Sequence, residues 1–263
     1  MTTHPGLPLP APAPPRPGSR LRDLAFAGMA GLLMGILGLF GAPLAAWSAP
    51  RSVRLMKTYN RLVFGLLRLV AGVRVEVRGT VPDYPCIVAA KHESQLDVYM
   101  LFHTLPRPRF IMKASLTRVP VFGFYTRRVG CIAIERGRPG EATRALDLLQ
   151  QAEQAAGGGI GQIVVYPQGT RIAPGVAAPY KRGAAIFAGA LQLPIVPVAV
   201  NTGSFWSRTG RLSGPGTAVI EFLAPLPANL DDEALLAELE RCVEDASARL
   251  RQEAAAPPSG RDP

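Results

Sequence analysis

The chain has 263 residues, which is long enough for one globular domain with a full core and some additional segments. Its 29 Lys and Arg residues against 19 Asp and Glu residues give a formal charge of +10, which favours an anionic partner such as nucleic acid, a lipid headgroup surface or a phosphorylated substrate. The three cysteines are odd in number and lack C-x-x-C spacing, which argues against a disulfide framework and a zinc site and fits a reducing compartment.

The N-terminal segment is predicted to be a disordered arm, residues 1–19, followed by membrane-embedded sequence in residues 20–70. The arm is crowded with proline. Residues 24–47 carry no charge, and as one helix at about 1.5 Å per residue they exceed the roughly 30 Å hydrocarbon core of a bilayer. A secretory signal peptide is the alternative, which the long arm before the apolar run disfavours. Spanning and re-entrant forms both fit, because the G-x-x-x-G pair at Gly31 admits a close helix and Pro43 can break the segment.

The stretch that follows is predicted to be a basic amphipathic helix. Its cations fall on one arc at helical period, opposite an apolar face. These cations are Arg51, Arg54, Lys57, Arg61 and Arg68. Such a helix is typical of the membrane interface, where its cations contact anionic lipids; a solvated helix packed on the domain is the alternative. The basic residues on either side of the apolar run place the following domain on the cytoplasmic side of the inner membrane.

From about residue 71 to residue 252 short β-branched runs alternate with helical stretches, which predicts an α/β domain. The predicted strands are VRVEVRG, CIVAAK, RFIMK, CIAIE, QIVVYP, PIVPVAV and AVIEFL. Helices are predicted at residues 95–104, 140–156, 181–192 and 230–252, the last with Asn229 as its N-cap. Residues 253–263 are predicted to be a disordered tail.

His92 follows the apolar run CIVAAK, and Asp97 lies five positions later. On one continuous helix these side chains diverge by about 140°, so pairing them requires a loop at His92 and a helix that begins near Ser94. The pair then lies at the carboxyl end of a strand, where open α/β sheets bind ligands. A carboxylate bonded to one ring nitrogen leaves the other free to accept a proton, so His92 is a candidate general base. The alternative is a surface histidine and a helix-capping aspartate.

Further polar residues follow two other apolar strands. They are Glu135, Arg136, Gln168, Gly169, Thr170 and Arg171. An arginine presents a planar fork to phosphate oxygens, and backbone N–H groups beside a glycine can approach an anion closely. These residues are therefore candidates for an anion site at the same strand ends as His92, although either arginine alone is also compatible with a solvated surface.

Four ordered blocks carry a family resemblance: HESQLD, CIAIERG, YPQGTR and PIVPVAV. On these blocks the chain resembles the glycerolipid acyltransferases, in particular the bacterial 1-acyl-sn-glycerol-3-phosphate acyltransferases, over roughly residues 55–225. The stretch KASLTRVPVFGF, which begins with Lys113, also looks like the family's sequence. The resemblance implies an α/β fold with a mixed, mostly parallel sheet flanked by helices and preceded by an N-terminal membrane-embedded segment.

The resemblance also implies an activity. His92, oriented by Asp97, would deprotonate the sn-2 hydroxyl of lysophosphatidate, which then attacks the thioester of an acyl carrier protein or coenzyme A, with no metal and no cofactor. Arg136 and the loop at residues 169–171 would hold the substrate phosphate, and backbone donors near Gly169 would stabilise the oxyanion. Lys113, Glu135 and Gln168 are expected to be substrate-binding residues of the same site.

One position departs from the family pattern, because the family usually has glutamate where this chain has Gln168. The amide keeps the shape but loses the charge and gains donors. We expect the chemistry to survive and substrate positioning or headgroup preference to change. A large rise in turnover in Gln168→Glu would contradict this expectation.

Three other functions compete with this interpretation. A nucleic-acid binder fits the charge, but the basic residues do not alternate with aromatics and the uncharged N-terminal segment is unexplained, so we expect no nucleic-acid partner. A non-catalytic lipid-binding membrane protein and an acyltransferase for another lysolipid, such as lyso-ornithine lipid, remain open. The acyl-chain length and the identity of the donor also remain open at this stage.

Overall fold

The computed structural model of the chain describes residues 19–135, 140–156, 159–227 and 230–256. The predicted arm, apart from Ser19, and most of the predicted tail lie outside the described residues. So do Arg136 and Asn229, which carried predictions for the phosphate site and for a helix cap.

The described strands form one sheet in the order β1-β7-β6-β2-β5-β3-β4. All neighbouring strands are parallel except β6 and β7, which are antiparallel. Their bounds are β1 (Val73–Arg78), β2 (Cys86–Ala90), β3 (Pro108–Lys113), β4 (Ile132–Ile134), β5 (Gln162–Val165), β6 (Ile195–Val200) and β7 (Gly216–Phe222). The predicted strands are all present, and the prediction of a mixed, mostly parallel α/β fold is confirmed.

The α-helices of the described part of the chain are α1 (Arg20–Trp47), α2 (Ala49–Ala71), α3 (Gln95–Thr104), α4 (Phe122–Arg128), α5 (Glu141–Ala156), α6 (Gly183–Leu191) and α7 (Asp232–Ala255). The predicted helix at residues 95–104 is confirmed at both ends. The prediction of Asn229 as the last helix's cap was wrong, because Asp231 is the N-cap of α7 and its carboxylate accepts bonds from the backbone N–H groups of Glu233 and Ala234. The short helix α4 and the 3-10 helices Ala114–Arg118 and Thr202–Ser204 were not predicted.

The central strand β2 is buried on both sides, and its side chains alternate between two cores. Val88 and Ala90 join a core that includes α2 and α3, whereas Ile87 and Ala89 join a core that includes α5, α6 and α7. We therefore refer to the two sides of the sheet as the α3 face and the α7 face. The alternation matters at the end of β2, because it decides which way His92 and its two neighbours point.

Helices α1 and α2 form an antiparallel hairpin that turns at Ser48. The Ser52 hydroxyl donates to the Ala45 carbonyl at 3.0 Å near the turn, and the Tyr59 hydroxyl donates to the Ala30 carbonyl at 3.4 Å further along. Pro43 does not break α1, which continues to Trp47. The re-entrant break that this proline allowed is therefore absent.

Close approach to α1 occurs at two glycines that the sequence pattern did not single out for this purpose. A Cβ on Gly38 would lie 2.1 Å from Val121 Cγ1, and a Cβ on Gly41 would lie 2.0 Å from Leu55 Cδ2. Gly31, where a close helix was expected, has no described atom within 4 Å of the corresponding position. The glycines at which α1 is closely approached thus lie about two turns further towards its C-terminus than the sequence pattern indicated.

By length and composition, α1 is apolar enough to cross a membrane. Many of its large apolar side chains are exposed: Leu21, Leu24, Met29, Leu32, Ile36, Leu39, Phe40, Leu44 and Trp47. On α2 the predicted cationic stripe is exposed at Arg51, Arg54, Arg61 and Arg68. Lys57 is half-buried and donates to the Leu105 carbonyl at 2.7 Å.

Both ends of α1 contact the sheet domain. Near its N-terminus, Arg22 Nη2 donates to the Leu212 carbonyl at 2.6 Å. Near its C-terminus, Arg128 Nε donates to the Ala45 carbonyl at 3.2 Å. The helix has 28 residues and is about 42 Å long. It therefore lies along the domain instead of pointing away from it.

Candidate active site

Three neighbouring parallel strands end at one edge of the sheet, and each delivers a residue to the same place. His92 follows β2, Tyr166 follows β5, and Thr202 follows β6, with β2 between the other two. Because parallel strands have their carboxyl ends at the same edge, residues distant in sequence converge there. The expected location of the site at the strand ends follows from this topology.

His92 and Asp97 are paired as the sequence predicts. His92 Nδ1 lies 2.9 Å from Asp97 Oδ1, since β2 has ended before His92 and α3 begins at Gln95. The Asp97 side chain is fully buried, and the His92 side chain is 13% exposed. A carboxylate accepts at Nδ1–H, which leaves Nε2 as the nitrogen that can take a proton.

Asp97 also caps α3, so the contact with His92 and the helix cap, which the sequence offered as alternatives, occur together. Its Oδ2 accepts from the backbone N–H groups of Glu93 at 2.9 Å and Ser94 at 2.8 Å, and it lies 3.4 Å from the Thr202 hydroxyl. Ser94 is the N-cap and completes a capping box with Asp97. These bonds fix the carboxylate, and the fixed carboxylate in turn orients the imidazole.

Tyr166 is a further member of this arrangement. Its ring stacks on the His92 imidazole with a centroid distance of 3.9 Å and an interplanar angle of 18°. Its hydroxyl donates to Asp97 Oδ1 at 3.2 Å. Burial, followed by the Asp97 charge, raises the pKa of Tyr166 well above its ordinary value, so the phenol stays a neutral donor. The imidazole is therefore held by a hydrogen bond along one edge and by an aromatic ring on one face.

His92 borders a cavity of about 460 Å³ that lies on the α3 face. Most of the cavity wall is apolar and comes from α1, α2, α3, β3, α4 and the 3-10 helix at residues 114–118. Its apolar lining includes Met34, Leu37, Leu55, Met56, Val98, Phe102, Phe110, Met112, Val121 and Phe122. A volume of this size is within the usual range for small-ligand pockets, roughly 300–1,000 Å³.

The polar lining of the cavity includes three of the predicted substrate-binding residues. Lys113 at the end of β3 and Thr170 and Arg171 after β5 line the same cavity as His92. Arg171 is not paired with any carboxylate in the described part of the chain, so its guanidinium is available to an anion. The cavity thus combines an imidazole, two cations and a long apolar wall.

The other predicted site residues lie elsewhere. Gln168 is buried and its side chain contacts α7, on the opposite face of the sheet from the cavity. The Gly169 N–H donates to the Tyr166 carbonyl at 2.9 Å in a turn, and the expectation of oxyanion donors near Gly169 stays a prediction. The backbone N–H of Glu135 is bound to the Glu141 carboxylate. Arg136 lies outside the described residues, and its predicted contact with a phosphate stays a prediction.

The sequence interpretation missed several residues that surround His92. Tyr166 lies inside the YPQGTR block, but nothing in a single sequence indicates that its ring stacks on an imidazole. The directions of Lys91 and Glu93 could have been predicted from the period-2 alternation of β2, which turns both side chains towards the α7 face. Among the described residues, no cluster of three or more His, Cys, Asp or Glu side chains is arranged to hold a metal ion.

The chain was compared with known proteins. The family described as Acyltransferase matches residues 72–201. A 1-acyl-sn-glycerol-3-phosphate acyltransferase of Pseudomonas aeruginosa is 31% identical over 80% of this chain and 81% of its own length. The human 1-acyl-sn-glycerol-3-phosphate acyltransferase alpha is 32% identical over 73% of this chain and 69% of its own. The crystal structure of the 1-acyl-sn-glycerophosphate acyltransferase PlsC of Thermotoga maritima matches the fold with a TM-score of 0.71 at 21% identity, covering 88% of this chain and 95% of that one.

A histidine paired with a buried carboxylate beside a largely apolar cavity, together with these matches, defines an acyltransferase. The chain belongs to the 1-acyl-sn-glycerol-3-phosphate acyltransferase family.

Proposed function

We propose that this chain transfers a fatty acyl group from an acyl thioester to the sn-2 hydroxyl of 1-acyl-sn-glycerol-3-phosphate, forming phosphatidate. The observation that carries the proposal is the placement of the His92–Asp97 pair beside Lys113 and Arg171 in one largely apolar cavity. An acceptor with a phosphate, a free hydroxyl and an acyl chain matches each part of that lining. The names of the relatives support the same acceptor.

The chemistry needs one general base. His92 Nε2 takes the proton of the sn-2 hydroxyl while the hydroxyl oxygen bonds to the thioester carbonyl carbon. The tetrahedral intermediate then expels the sulfur, the C–S bond breaks, and the thiolate receives the proton from the imidazolium. Asp97 keeps Nδ1 protonated throughout and stabilises the imidazolium that forms between the two steps.

Lys113 and Arg171 are the cations that we assign to the acceptor's phosphate. Both line the cavity with His92, and an arginine offers two parallel N–H donors to phosphate oxygens. Arg136 is proposed as a third phosphate contact on the family resemblance alone. A phosphate held by these groups places the glycerol hydroxyls near Nε2, which favours a phosphate-bearing acceptor over lyso-ornithine lipid.

The apolar wall of the cavity binds a fatty acyl chain of the substrates. Each buried methylene contributes about 0.8 kcal/mol, so a cavity lined by side chains such as Leu37, Phe102 and Phe110 binds a fatty chain strongly. The donor is an acyl carrier protein or coenzyme A thioester, and the same assay with both donors decides between them.

We further propose that the chain is bound to one face of the inner membrane, on the cytoplasmic side, with α1 lying in the plane of the bilayer surface. A spanning helix must place one end roughly 30 Å from the domain, but Arg22 and Ala45 contact the domain near opposite ends of α1. The exposed apolar side chains of α1 then meet acyl chains. The exposed arginines of α2 meet anionic headgroups, which are the lipid partners proposed here.

The activity is tested with detergent-purified protein, lysophosphatidate or lyso-ornithine lipid as acceptor, and acyl-coenzyme A or acyl carrier protein thioester as donor. We expect acceptor-dependent thioester consumption with lysophosphatidate. No consumption with any pair would leave a non-catalytic lipid-binding protein, and faster reaction with lyso-ornithine lipid would replace the acceptor.

Arg171→Gln tests the phosphate assignment. We expect KM for lysophosphatidate to rise roughly 10- to 100-fold, because a charged hydrogen bond to the phosphate is lost. The matched control is Arg208→Gln, which removes an exposed arginine outside the cavity lining. Equal KM values in the two variants would contradict the assignment.

The membrane disposition is tested by vesicle flotation of a Leu39→Ser, Phe40→Ser double variant. Both side chains are exposed on α1, and losing two such contacts with acyl chains weakens binding roughly 30-fold or more. The matched control is Val176→Ser, which changes an exposed apolar residue of the sheet domain. In-plane binding would be contradicted if the control had an equal effect. It would also be contradicted if the α1 N-terminus were protected on the side of sealed vesicles opposite to the sheet domain.

A further inference from the structure

The residues on either side of His92 are a lysine and a glutamate, and both point to the α7 face. Lys91 and Glu93 continue the alternation of Ile87 and Ala89, so both side chains turn away from the cavity. Both are fully buried. A buried ionisable side chain requires a polar or charged partner, so the elements that provide these partners hold this end of the strand in place.

Both partners come from α7. Lys91 Nζ lies 2.5 Å and 2.7 Å from the two carboxylate oxygens of Glu244. Arg251 Nη1 lies 3.6 Å from Glu93 Oε1. Glu244 and Arg251 are seven residues apart, which is two turns and nearly the same side of a helix. One helix face therefore supplies a carboxylate to the residue before His92 and a guanidinium to the residue after it.

Glu244 also receives donors from the segment that follows β5. Tyr180 donates its hydroxyl to Glu244 Oε1 at 3.1 Å, and Gln168 Nε2 lies 3.5 Å from the same oxygen. Burial and the Glu244 charge raise the pKa of Tyr180, so the phenol remains a neutral donor. The carboxylate thus joins Lys91, Tyr180 and Gln168 in one cluster.

This cluster explains why glutamine, and not glutamate, fits position 168. A glutamate there would bring a second carboxylate within about the same 3.5 Å of Glu244, where two like charges repel. The amide instead turns a donor towards Glu244. Its Oε1 is buried with no hydrogen-bond partner in the described part of the chain, so the side chain is placed by that one contact.

We propose that Glu244 supplies from α7 a partly exposed carboxylate in place of the glutamate expected at position 168, and that α7 thereby positions His92 and the loop after β5. The inference rests on the proposed acyl transfer and adds Glu244, Lys91 and Gln168 to it as positioning residues.

The cluster reaches the reacting groups through the backbone. Lys91 N–H donates to the Val198 carbonyl at 3.0 Å, and Ile172 N–H donates to the His92 carbonyl at 2.8 Å. The segment from Gln168 to Ile172 is therefore fixed at one end by Glu244 and at the other by the backbone of His92. Arg171 lies within that segment, so its distance from the imidazole depends on both anchors.

The test moves the carboxylate from one position to the other. Glu244→Gln leaves the buried Lys91 ammonium without the carboxylate that contacts it, and we expect kcat with lysophosphatidate to fall roughly 30- to 100-fold. Gln168→Glu brings two carboxylates together, and we expect kcat to fall roughly tenfold. In the double variant Gln168→Glu, Glu244→Gln, an amide and a carboxylate face each other again in exchanged places, and we expect kcat within about fivefold of the unsubstituted chain.

The matched control is Asp245→Asn, which removes the neighbouring carboxylate of α7. That carboxylate is exposed and contacts Arg241. The control is expected to retain activity within about twofold, because a surface ion pair contributes little. In Glu244→Gln the KM for the acyl donor is expected to stay within about threefold, since a positioning effect falls on kcat.

Each result decides the proposal. Recovery of kcat in the double variant supports it even when Glu244→Gln does not fold, because the double variant has the same groups in exchanged places. A Glu244→Gln enzyme within twofold of the unsubstituted chain overturns it, as does a folded double variant less active than either single variant.

Failure of the proposed function is recognised separately. If the unsubstituted chain consumes no thioester with any acceptor, the melting temperature replaces kcat as the readout. A loss in Glu244→Gln that is restored in the double variant then supports exchange of the carboxylate, and an additive loss overturns it.

Discussion

The two faces of the sheet use the end of strand β2 in opposite ways. On the α3 face, His92 borders a cavity and its Nε2 is available for proton transfer. On the α7 face, Lys91 and Glu93 are fully buried, with Lys91 paired to Glu244 and Glu93 lying 3.6 Å from Arg251, both on one helix. Because successive side chains of an extended segment alternate in direction, three consecutive residues serve reaction and support without competing for space.

The contrast teaches which kind of damage to expect from each face. Under the proposed function a side chain on the cavity side contacts reactants, so we expect its loss to reduce turnover and to leave the fold intact. An apolar core side chain on the α7 face contacts only protein, so its loss reduces the free energy of unfolding first, whereas the loss of Glu244 is expected to lower turnover as well.

His92→Ala is the most direct attempt to break this contrast. We expect turnover to fall roughly 10³ to 10⁴ fold because the general base is gone, while the melting temperature stays within about 3 °C. Single-turnover assay and differential scanning fluorimetry measure the two quantities. His103→Ala is the control, since it removes an imidazole of α3 that does not line the cavity. Comparable losses of turnover in both variants would refute a base role for His92.

Asp97→Asn sharpens the comparison, because Asp97 both orients the imidazole and caps α3. We expect turnover to fall roughly 10² to 10³ fold, since an amide no longer fixes the Nδ1–H tautomer. Ser94→Ala removes the other half of the capping box and costs about 1 kcal/mol of stability. If Ser94→Ala lowers turnover as much as Asp97→Asn, the cap and not the charge is what matters.

Leu239→Ala tests the α7 face. Leu239 is buried in the core between α7 and the sheet, and its truncation should lower the free energy of unfolding by roughly 2 to 5 kcal/mol. The folded enzyme at low temperature is expected to keep its turnover within about twofold. Leu69→Ala makes the same chemical change at a position that is 82% exposed, and it should cost less than about 0.5 kcal/mol. A large loss of turnover in folded Leu239→Ala would contradict the expectation that an apolar core residue of the α7 face affects stability and not turnover.

Glu93→Gln gives the smallest expected effect. Burial raises the pKa of Glu93 to about 8 against the opposing influence of Lys91 and Arg251, with Asp97 adding to the rise. The folded state keeps the proton that the unfolded state releases above about pH 4.5, so the carboxyl lowers stability as pH rises from about 5 to 8.

Glutamine has no such proton. The stability of Glu93→Gln relative to the unsubstituted chain should therefore increase over that pH range by a free energy on the order of 1 to 2 kcal/mol. The difference between the two melting temperatures measures this increase. Asp245→Asn, with an exposed carboxylate, should show no comparable trend. A pH-independent difference for Glu93→Gln would mean that its carboxyl is ionised in the folded chain.

The sequence was sufficient for the strands, for the longer helices and for the His92–Asp97 pair, because these depend on local information. Runs of β-branched residues specify strands, and the five-residue spacing requires a strand end followed by a new helix. Tyr166 and Glu244 could not be found in this way. Their roles depend on which strands are neighbours and on a helix roughly 150 positions after His92 in the chain, which the periodicity of a single segment does not encode.

The N-terminal segment shows a different limit of sequence interpretation. Hydropathy predicted an apolar helix over residues 24–47, and α1 covers this range from Arg20 to Trp47. Hydropathy carries no information, however, on whether both ends of the helix contact the domain. The contacts of Arg22 and Ala45 supply that information. In the same way the glycine pattern predicted a close approach at Gly31, whereas Val121 and Leu55 lie against Gly38 and Gly41.

Helix α1 separates the cavity from the outside of the protein, because Met34 and Leu37 line the cavity whereas Leu39 and Phe40 are exposed. With α1 in the bilayer surface as proposed, an acceptor arrives by sideways diffusion within its own leaflet. The velocity should then follow the mole fraction of lysophosphatidate in that leaflet, so that inert phospholipid slows the enzyme even when the amount of acceptor per volume of solution is constant.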